Sequence, residues 1–350
     1  MRFPLERVQV SVMRFEFYQA DLDNLPKLSV DGTVSNSVHF SHWEGNQTPD
    51  EVKADTSTEI ALNLVASPDK ERLTQGIELV TNNHFDTDGV LSVWTVLNGE
   101  PASDLREQLI PAAEAGDFSE FSTEDGVRAS IVIQGSDQAS PNNDTGSPLA
   151  AFLAGKEISD DAEAYKLVLP AVERVLRNTG EYESLWRSGW EAIARAIESF
   201  EKGQSKVEEY QDARLSLITL APEVFRPNEF NPTRHVTPYT AISRYARGQV
   251  YLIATPCPDG WTYRIDYPYY SWAETVVRPK IKRHDFGALI AQLNQIEQNH
   301  EGTWKLDNSE MTSAVKFLDA SNVLAASHLR PDELVSLMQA KLLSKNAARV

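Results

Sequence analysis

The chain has 350 residues, 41% of them hydrophobic, which is enough apolar material for a packed core and a length typical of two domains or one large one. Its formal net charge of −18 argues against binding to duplex nucleic acid or to an anionic membrane, since both carry negative charge. The single cysteine, Cys257, excludes an internal disulfide and a thiolate metal cluster, and it fits a reducing cytoplasm, where we expect the protein.

The first half of the chain alternates predicted strands and helices. We interpret residues 1–12 as an extension, followed by short strands and a turn at Asp31-Gly32. The sequence Thr56-Ser-Thr-Glu59 is a capping box and predicts a helix over the apolar residues after it. A short buried strand is predicted at 77–81 and a helix at 89–97. This alternation favours an α/β domain over residues 13–135.

The second half looks α+β, and we predict that residues 150–350 form a second domain that closes over a cleft. The polar, turn-rich segment 134–148 is either a surface loop or a linker between the two domains. The predicted elements are helices at 161–178 and 181–209, a strand at 214–220, a hairpin around the turn 257–260, and helices at 285–297 and 331–344.

A cluster of polar side chains follows the strand predicted at 77–81. His84, Asp86 and Asp88 occupy alternate positions, so on extended backbone they share one face. Ligands bind beyond the carboxyl ends of strands in open α/β sheets, and carboxylate with imidazole suits manganese. Gly89 would let the backbone turn sharply into the next helix. We predict these three residues as metal ligands; the alternative is a polar loop in which Asp88 caps the helix.

Two further places are candidate parts of the same site. His39 and His42 lie three residues apart beside Trp43, and they are either further ligands, a general acid, or ordinary histidines packed beside a tryptophan. Asp117 follows Gly116 near a predicted helix end, where it either completes the metal site or is a loop residue. The expected cofactor is one or two divalent ions, with Mn²⁺ preferred.

The segment Asn83-His-Phe-Asp-Thr-Asp-Gly89 resembles the first motif of the DHH phosphoesterase superfamily. That superfamily includes RecJ-type exonucleases, nanoRNases, cyclic-dinucleotide phosphodiesterases and family II pyrophosphatases, and the motif supplies ligands to one or two manganese ions. Together with Ser35-Asn-Ser-Val-His-Phe-Ser-His-Trp43 and Ala54-Asp-Thr-Ser-Thr-Glu59, the same segment resembles an uncharacterised bacterial family, a domain of unknown function. This second resemblance covers most of the chain and implies no activity.

The chain departs from the DHH pattern, because it contains neither Asp-His-His nor the glycine-rich Gly-Gly-Gly-His of many members. In DHH proteins the Asp-His-His strand precedes a Ser-Ser-Thr-Ala-Glu-like helix start. Here His39-Phe-Ser-His42 precedes Asp55-Thr-Ser-Thr-Glu59, which resembles a circularly permuted order. Asp117 then resembles the late metal-binding aspartate of the superfamily. The resemblance implies a DHH-like sheet with flanking helices.

Candidate substrate-binding residues lie in the second half. Arg278, Lys280, Lys282 and Arg283 form the densest basic run in an acidic chain, which would hold an anionic group opposite the metals or would be a solvated strand end. Trp304 would stack on a planar ligand or belong to the core.

These patterns favour a metal-dependent hydrolase of a small anionic phosphoester or phosphoanhydride, in which a manganese-activated hydroxide attacks phosphorus. One alternative is a metal-dependent hydrolase of a C–N or C–O bond. Another is a catalytically silent relative that binds a ligand or a partner protein. The oligomeric state is left open.

Overall fold

The computed structural model describes residues 13–135, 146–225, 237–307 and 312–343. The predicted extension 1–12 and residues 136–145 of the predicted loop lie outside the described residues. In the part of the chain that is described, the fold is a mixed α/β arrangement of one parallel sheet, one mixed sheet and surrounding helices. None of the helices among these residues combines the length and the apolar composition that a membrane span requires.

The first sheet is parallel. Its strands are β1 (Arg14–Phe15), β2 (Lys27–Val30), β3 (Val38–Phe40) and β4 (Leu79–Thr81), in the spatial order β1-β4-β2-β3. Every pairing between them is parallel, so the carboxyl ends of β2, β3 and β4 meet at one edge. Strands β2 and β4 are buried along their whole length, which is typical of a parallel sheet covered on both faces.

The described chain up to residue 201 also forms helices, of which Ser57–Ala66 and Thr87–Asn98 pack directly against this sheet. They are α1 (Ser57–Ala66), α2 (Lys70–Leu73), α3 (Thr87–Asn98), α4 (Arg106–Phe118), α5 (Glu124–Gln134), α6 (Pro148–Ala154), α7 (Asp161–Val168), α8 (Val172–Arg177) and α9 (Glu183–Glu201). The predicted capping box is confirmed at its N-cap, because the Thr56 hydroxyl accepts a hydrogen bond from the Glu59 N–H at 3.1 Å.

Two predicted helices are shorter than expected. The helix predicted at 161–178 is broken into α7 and α8 by a 3-10 turn at 169–171, where Pro170 cannot donate a helical hydrogen bond. The helix predicted at 181–209 ends at Glu201, and Gly203 follows with a φ of +70°, which closes the turn. Residues 206–210 instead form an edge strand of the second sheet.

The second sheet is mixed. It contains β5 (Lys206–Tyr210), β6 (Leu215–Thr219), β7 (Val250–Cys257), β8 (Gly260–Asp266), β9 (Gly302–Leu306) and β10 (Ser313–Asp319), in the order β5-β6-β7-β8-β10-β9. The pair β6–β7 is parallel and the other pairs are antiparallel, so the predicted hairpin at 257–260 is confirmed. The accompanying helices are α10 (Tyr239–Tyr245), α11 (Gly287–Ile296) and α12 (Pro331–Leu343).

Buried apolar residues form two clusters among the described residues. The first joins the parallel sheet to α1, α3–α9 and one face of β7, and includes Val30, Ile133, Tyr165 and Ile253. The second joins the mixed sheet to α11 and α12. Helices on either side of the predicted linker therefore share the first core. A domain boundary at 134–148 stays a prediction.

Candidate metal centre

The candidate site lies at the carboxyl edge of the parallel sheet. Asp31 comes directly after β2, His42 two residues after β3, and His84 three residues after β4. Because all three strands run the same way, their following loops meet at one edge. The last turn of α4 adds Asp117 from a neighbouring helix.

In the described part of the chain, two groups of side chains there can hold a metal ion. One group contains Asp31, His42, Asp88 and Asp117, and the other contains Asp31, His84 and Asp86. Within each group the potential ligand atoms all lie within 4.8 Å of one another. Asp31 belongs to both groups, so its carboxylate lies between them. We call these the His42 group and the His84 group.

The His42 group is closed off from solvent. His42 Nε2 lies 2.9 Å from Asp117 Oδ2 and 3.4 Å from Asp31 Oδ1. It lies 3.8 Å from Asp88 Oδ2. Asp31 Oδ2, His42 Nε2 and Asp117 Oδ2 are buried, and despite these close approaches none of the three makes a well-aligned hydrogen bond with another described residue. Unpartnered buried polar atoms are costly unless an ion or a water satisfies them, so their convergence fits a bound cation.

The His84 group is more open. His84 Nε2 lies 2.9 Å from Asp86 Oδ2 and 3.2 Å from Asp31 Oδ2. The His84 side chain is 27% exposed, whereas those of Asp31 and His42 are fully buried. Access from solvent is therefore on the side of His84.

The orientation of His42 is fixed from behind. Its Nδ1 lies 2.6 Å from the backbone carbonyl oxygen of Asp55, and a carbonyl can only accept, so Nδ1 donates. Nε2 is therefore the atom that faces the carboxylates. Histidine ligands of metals are usually held in this way, because the hydrogen bond sets both the tautomer and the ring plane.

Asp86 and Asp88 have different supports. Asp86 is the N-cap of α3 and accepts from the Gly89 N–H at 2.7 Å, so α3 starts at Thr87, two residues before the predicted start. Asp88 accepts from the backbone N–H groups of Ser57 and Thr58, each at 2.7 Å, at the amino end of α1. The alternative in which Asp88 caps the following helix is therefore wrong. Its carboxylate instead joins α1 to α3.

The charges at the site are unbalanced without a cation. Four buried or half-buried carboxylates face two imidazoles. Burial, and then repulsion by Asp31, raise the pKa of Asp88 to about 7. Burial lowers the pKa of His84, but Asp86 and Asp31 raise it more, to about 11. Shifts of this direction arise where negative charge is concentrated away from water, and a divalent ion would relieve the repulsion.

The profile of one protein family matches residues 12–341, and its description is "Family of unknown function (DUF6687)". The chain belongs to DUF6687. No curated protein matches the sequence of this DUF6687 chain. The predicted membership of an uncharacterised family is confirmed over most of the length, and the description of the family names no activity.

Other predicted site residues of the DUF6687 protein lie away from the two groups. His39 is half-buried on β3 opposite Ser29, and neither group includes it. Trp304 is only 1% exposed in the second core, where its indole N–H donates to Glu297 at 3.2 Å. Such burial leaves no exposed ring face on which a ligand would stack.

The four residues of the predicted basic run differ in their surroundings. Arg278 is 17% exposed and forms ion pairs with Asp55, Glu114 and Glu120. Lys280, Lys282 and Arg283 are exposed, and the Arg283 guanidinium lies 4.3 Å from the centre of the Tyr267 ring. Binding of a substrate anion by these residues stays a prediction.

Sequence reasoning missed two residues of the site. The sequence predicts Asp31 as half of a turn, and its backbone does have a turn-like φ of +50°. The available signal was its position directly after an apolar run, the same signal that identified His84. The sequence places Asp55 only in a segment that resembles a helix start. Its backbone carbonyl instead orients His42, a role that no side-chain pattern encodes.

Proposed function

We propose that this DUF6687 protein is a two-metal hydrolase of a phosphoester or phosphoanhydride. The observation that carries the proposal is the position of Asp31. Its Oδ1 lies 3.4 Å from His42 Nε2, and its Oδ2 lies 3.2 Å from His84 Nε2. One carboxylate thus serves two ligand groups. This arrangement suits a pair of ions held a few ångströms apart, as in many phosphatases and nucleases.

The donor atoms favour Mn²⁺. Both groups combine carboxylate oxygen with imidazole nitrogen and contain no thiolate, a set suited to manganese among the available divalent ions. When bound, two such ions would act as Lewis acids and make a nucleophile available at neutral pH. The Asp55 carbonyl and the amino end of α1 would hold His42 and Asp88 in place.

The order of the ligands supports a permuted DHH arrangement. His42, on the segment that resembles the Asp-His-His half, lies within 3.8 Å of Asp88 from the His-x-Asp-x-Asp half. Asp117, the proposed late aspartate, lies within 2.9 Å of the same histidine. The phosphate substrate is proposed from this two-ion arrangement rather than from a basic pocket, since Arg278 is neutralised and Lys280 faces solvent.

The first test measures metal content. Protein depleted with chelator and dialysed against Mn²⁺ should hold two ions per chain. Asp31→Asn should hold none tightly, because both groups lose a shared charged ligand, and the exposed control Asp104→Asn should keep two. If wild-type protein binds no Mn²⁺, Mg²⁺ or Zn²⁺, or if Asp31→Asn keeps both ions, the two-metal assignment is wrong.

A second measurement concerns the substrate class. We expect Mn²⁺-loaded protein to hydrolyse at least one of a monoester, a diester and a phosphoanhydride, with a rate at least about 100-fold lower in Asp31→Asn. Hydrolysis of carboxylic esters or amides alone would favour the alternative of a hydrolase that acts on a C–N or C–O bond. Metal binding without any hydrolysis across the panel would favour a silent relative.

A further inference from the structure

Residues 272–278, which we call the strap, connect the second core to the metal site. The strap follows β8 and precedes α11, so it belongs in sequence to the mixed-sheet part of the chain. Its contacts nevertheless lie on the loop 41–55 and on the end of α4. These two places carry His42, the carbonyl that orients it, and Asp117.

The Asp55 carboxylate holds one end of the strap. This side chain is 2% exposed and accepts hydrogen bonds from three consecutive backbone N–H groups, those of Val276, Val277 at 2.8 Å and Arg278 at 2.9 Å. The same residue offers its backbone carbonyl to His42 Nδ1. One residue therefore joins the strap to the orientation of a ligand.

The Arg278 guanidinium holds the strap against α4. It donates to Glu114 at 2.6 Å and to Glu120 at 2.6 Å, and it lies 5.0 Å from the centre of the Phe118 ring. Glu114 and Glu120 flank Asp117 along the chain. Such multidentate arginine–carboxylate contacts fix geometry as well as charge, so they hold the end of α4 in register.

The other end of the strap contacts the loop around His42. The Glu274 N–H donates to the His42 carbonyl at 2.7 Å, and the Glu274 carboxylate accepts from Asn46 at 3.0 Å. The Trp272 ring packs edge-on against the His42 imidazole, with 5.0 Å between ring centres. Between described residues, the hydrogen bonds and ion pairs of the strap reach the surroundings of the His42 group but neither His84 nor Asp86.

We propose that the strap is a positioning element for the ion of the His42 group, with Arg278 as its positioning residue. The second core thereby controls one of the two ions, while His84 is held by a hydrogen bond within its own loop and Asp86 by its contact with the first turn of α3. This inference rests on the proposed two-metal function and assigns Arg278 to the support of a ligand rather than to the binding of substrate.

The experiment compares Arg278→Met with wild type and with Arg128→Met. Arg128 is a matched control, because it also pairs with a carboxylate, Glu124 at 2.8 Å, and lies on aromatic rings, including Trp190 at 4.5 Å. In equilibrium dialysis with Mn²⁺ alone, we expect one of two binding constants in Arg278→Met to fall about 10–100-fold. The other should change by less than about threefold, and Arg128→Met should match wild type.

Hydrogen–deuterium exchange of the metal-free proteins gives a readout that does not depend on Mn²⁺. Segments 41–55 and 114–120 should exchange faster in Arg278→Met, whereas 79–90 should not change. Arg278→Lys keeps the positive charge but lacks the planar guanidinium that contacts several carboxylates at once, so it should recover part of the lost Mn²⁺ affinity. If Arg278→Met does not fold, Arg278→Lys takes its place in the experiment.

The outcomes separate the two proposals. If both binding constants fall equally, or neither falls, or exchange is unchanged in both Arg278 variants, the role of the strap is refuted. If wild type binds no Mn²⁺, the two-metal proposal fails and the inference that rests on it fails as well. In that case, faster hydrogen–deuterium exchange of residues 41–55 in Arg278→Met would show only that the strap packs against this loop.

Discussion

At the scale of single residues, Gly89 illustrates a constraint of space. We expected it to provide a sharp turn, but it lies inside α3 and its φ is not positive. A Cβ atom there would lie 2.7 Å from Asn82 Nδ2, 2.8 Å from the Tyr165 hydroxyl and 3.0 Å from Asp86 Oδ1. These side chains surround Asp86, so an added methyl group would force them to move.

The corresponding prediction is that Gly89→Ala lowers the free energy of unfolding by about 1–3 kcal/mol through overpacking. It should also lower the Mn²⁺ affinity of the His84 group more than that of the His42 group, because the displaced atoms include Asp86 Oδ1. Urea denaturation and Mn²⁺ dialysis measure the two effects. Gly180→Ala is the control, since a Cβ there meets nothing within 4 Å. Equal effects in the two variants would contradict this account.

At the scale of elements, Glu297 joins three segments of the second core. It follows α11, and its carboxylate accepts from Ser327 Oγ at 2.6 Å, from the Trp304 indole at 3.2 Å and from the His328 N–H at 3.1 Å. Burial raises the pKa of Glu297, but these hydrogen bonds and that from the Asn299 N–H lower it, and the net direction is down. The ionised form therefore stabilises the junction of α11 with β9.

This direction determines a pH dependence. Because the folded pKa is below the ordinary value of 4.5, the stabilisation is fully present above pH 4.5. It is lost as the pH falls from there through the folded pKa. We expect Glu297→Gln to unfold at lower urea concentration than wild type at pH 7, with the difference shrinking below pH 4.5. Glu301→Gln, at an exposed carboxylate, is the control. A difference that grows towards low pH would have the wrong sign.

At the scale of the whole molecule, metal binding should stabilise the fold. The candidate ligands come from loops after three strands and from α3 and α4, so they converge only in the folded chain. An ion that binds the folded state alone adds about 2.7 kcal/mol when its free concentration is 100 times its Kd. Adding Mn²⁺ after chelation should therefore raise the Tm of wild type and not that of Asp31→Asn. An equal rise in both proteins would place the binding elsewhere.

Local patterns in the sequence determined much of this arrangement. The alternation of strands and helices indicated α/β, and the capping box placed the start of α1. The His-x-Asp-x-Asp spacing after an apolar run led to His84, Asp86 and Asp88, all of which lie in the two ligand groups. These features depend on contacts between residues a few positions apart in the chain. Such contacts produce local sequence patterns, namely hydrophobic periodicity and capping residues, which can be read without the fold.

Only the tertiary structure decided which distant residues join them. Asp31 lies between the two groups because parallel pairing of β2 with β3 and β4 brings three loops together. Arg278 meets Asp55, Glu114 and Glu120 because the strap crosses from the second core. Residues far apart in the chain meet through strand order and packing. A local pattern cannot encode such meetings, since the same short motif is compatible with many arrangements of the rest of the chain.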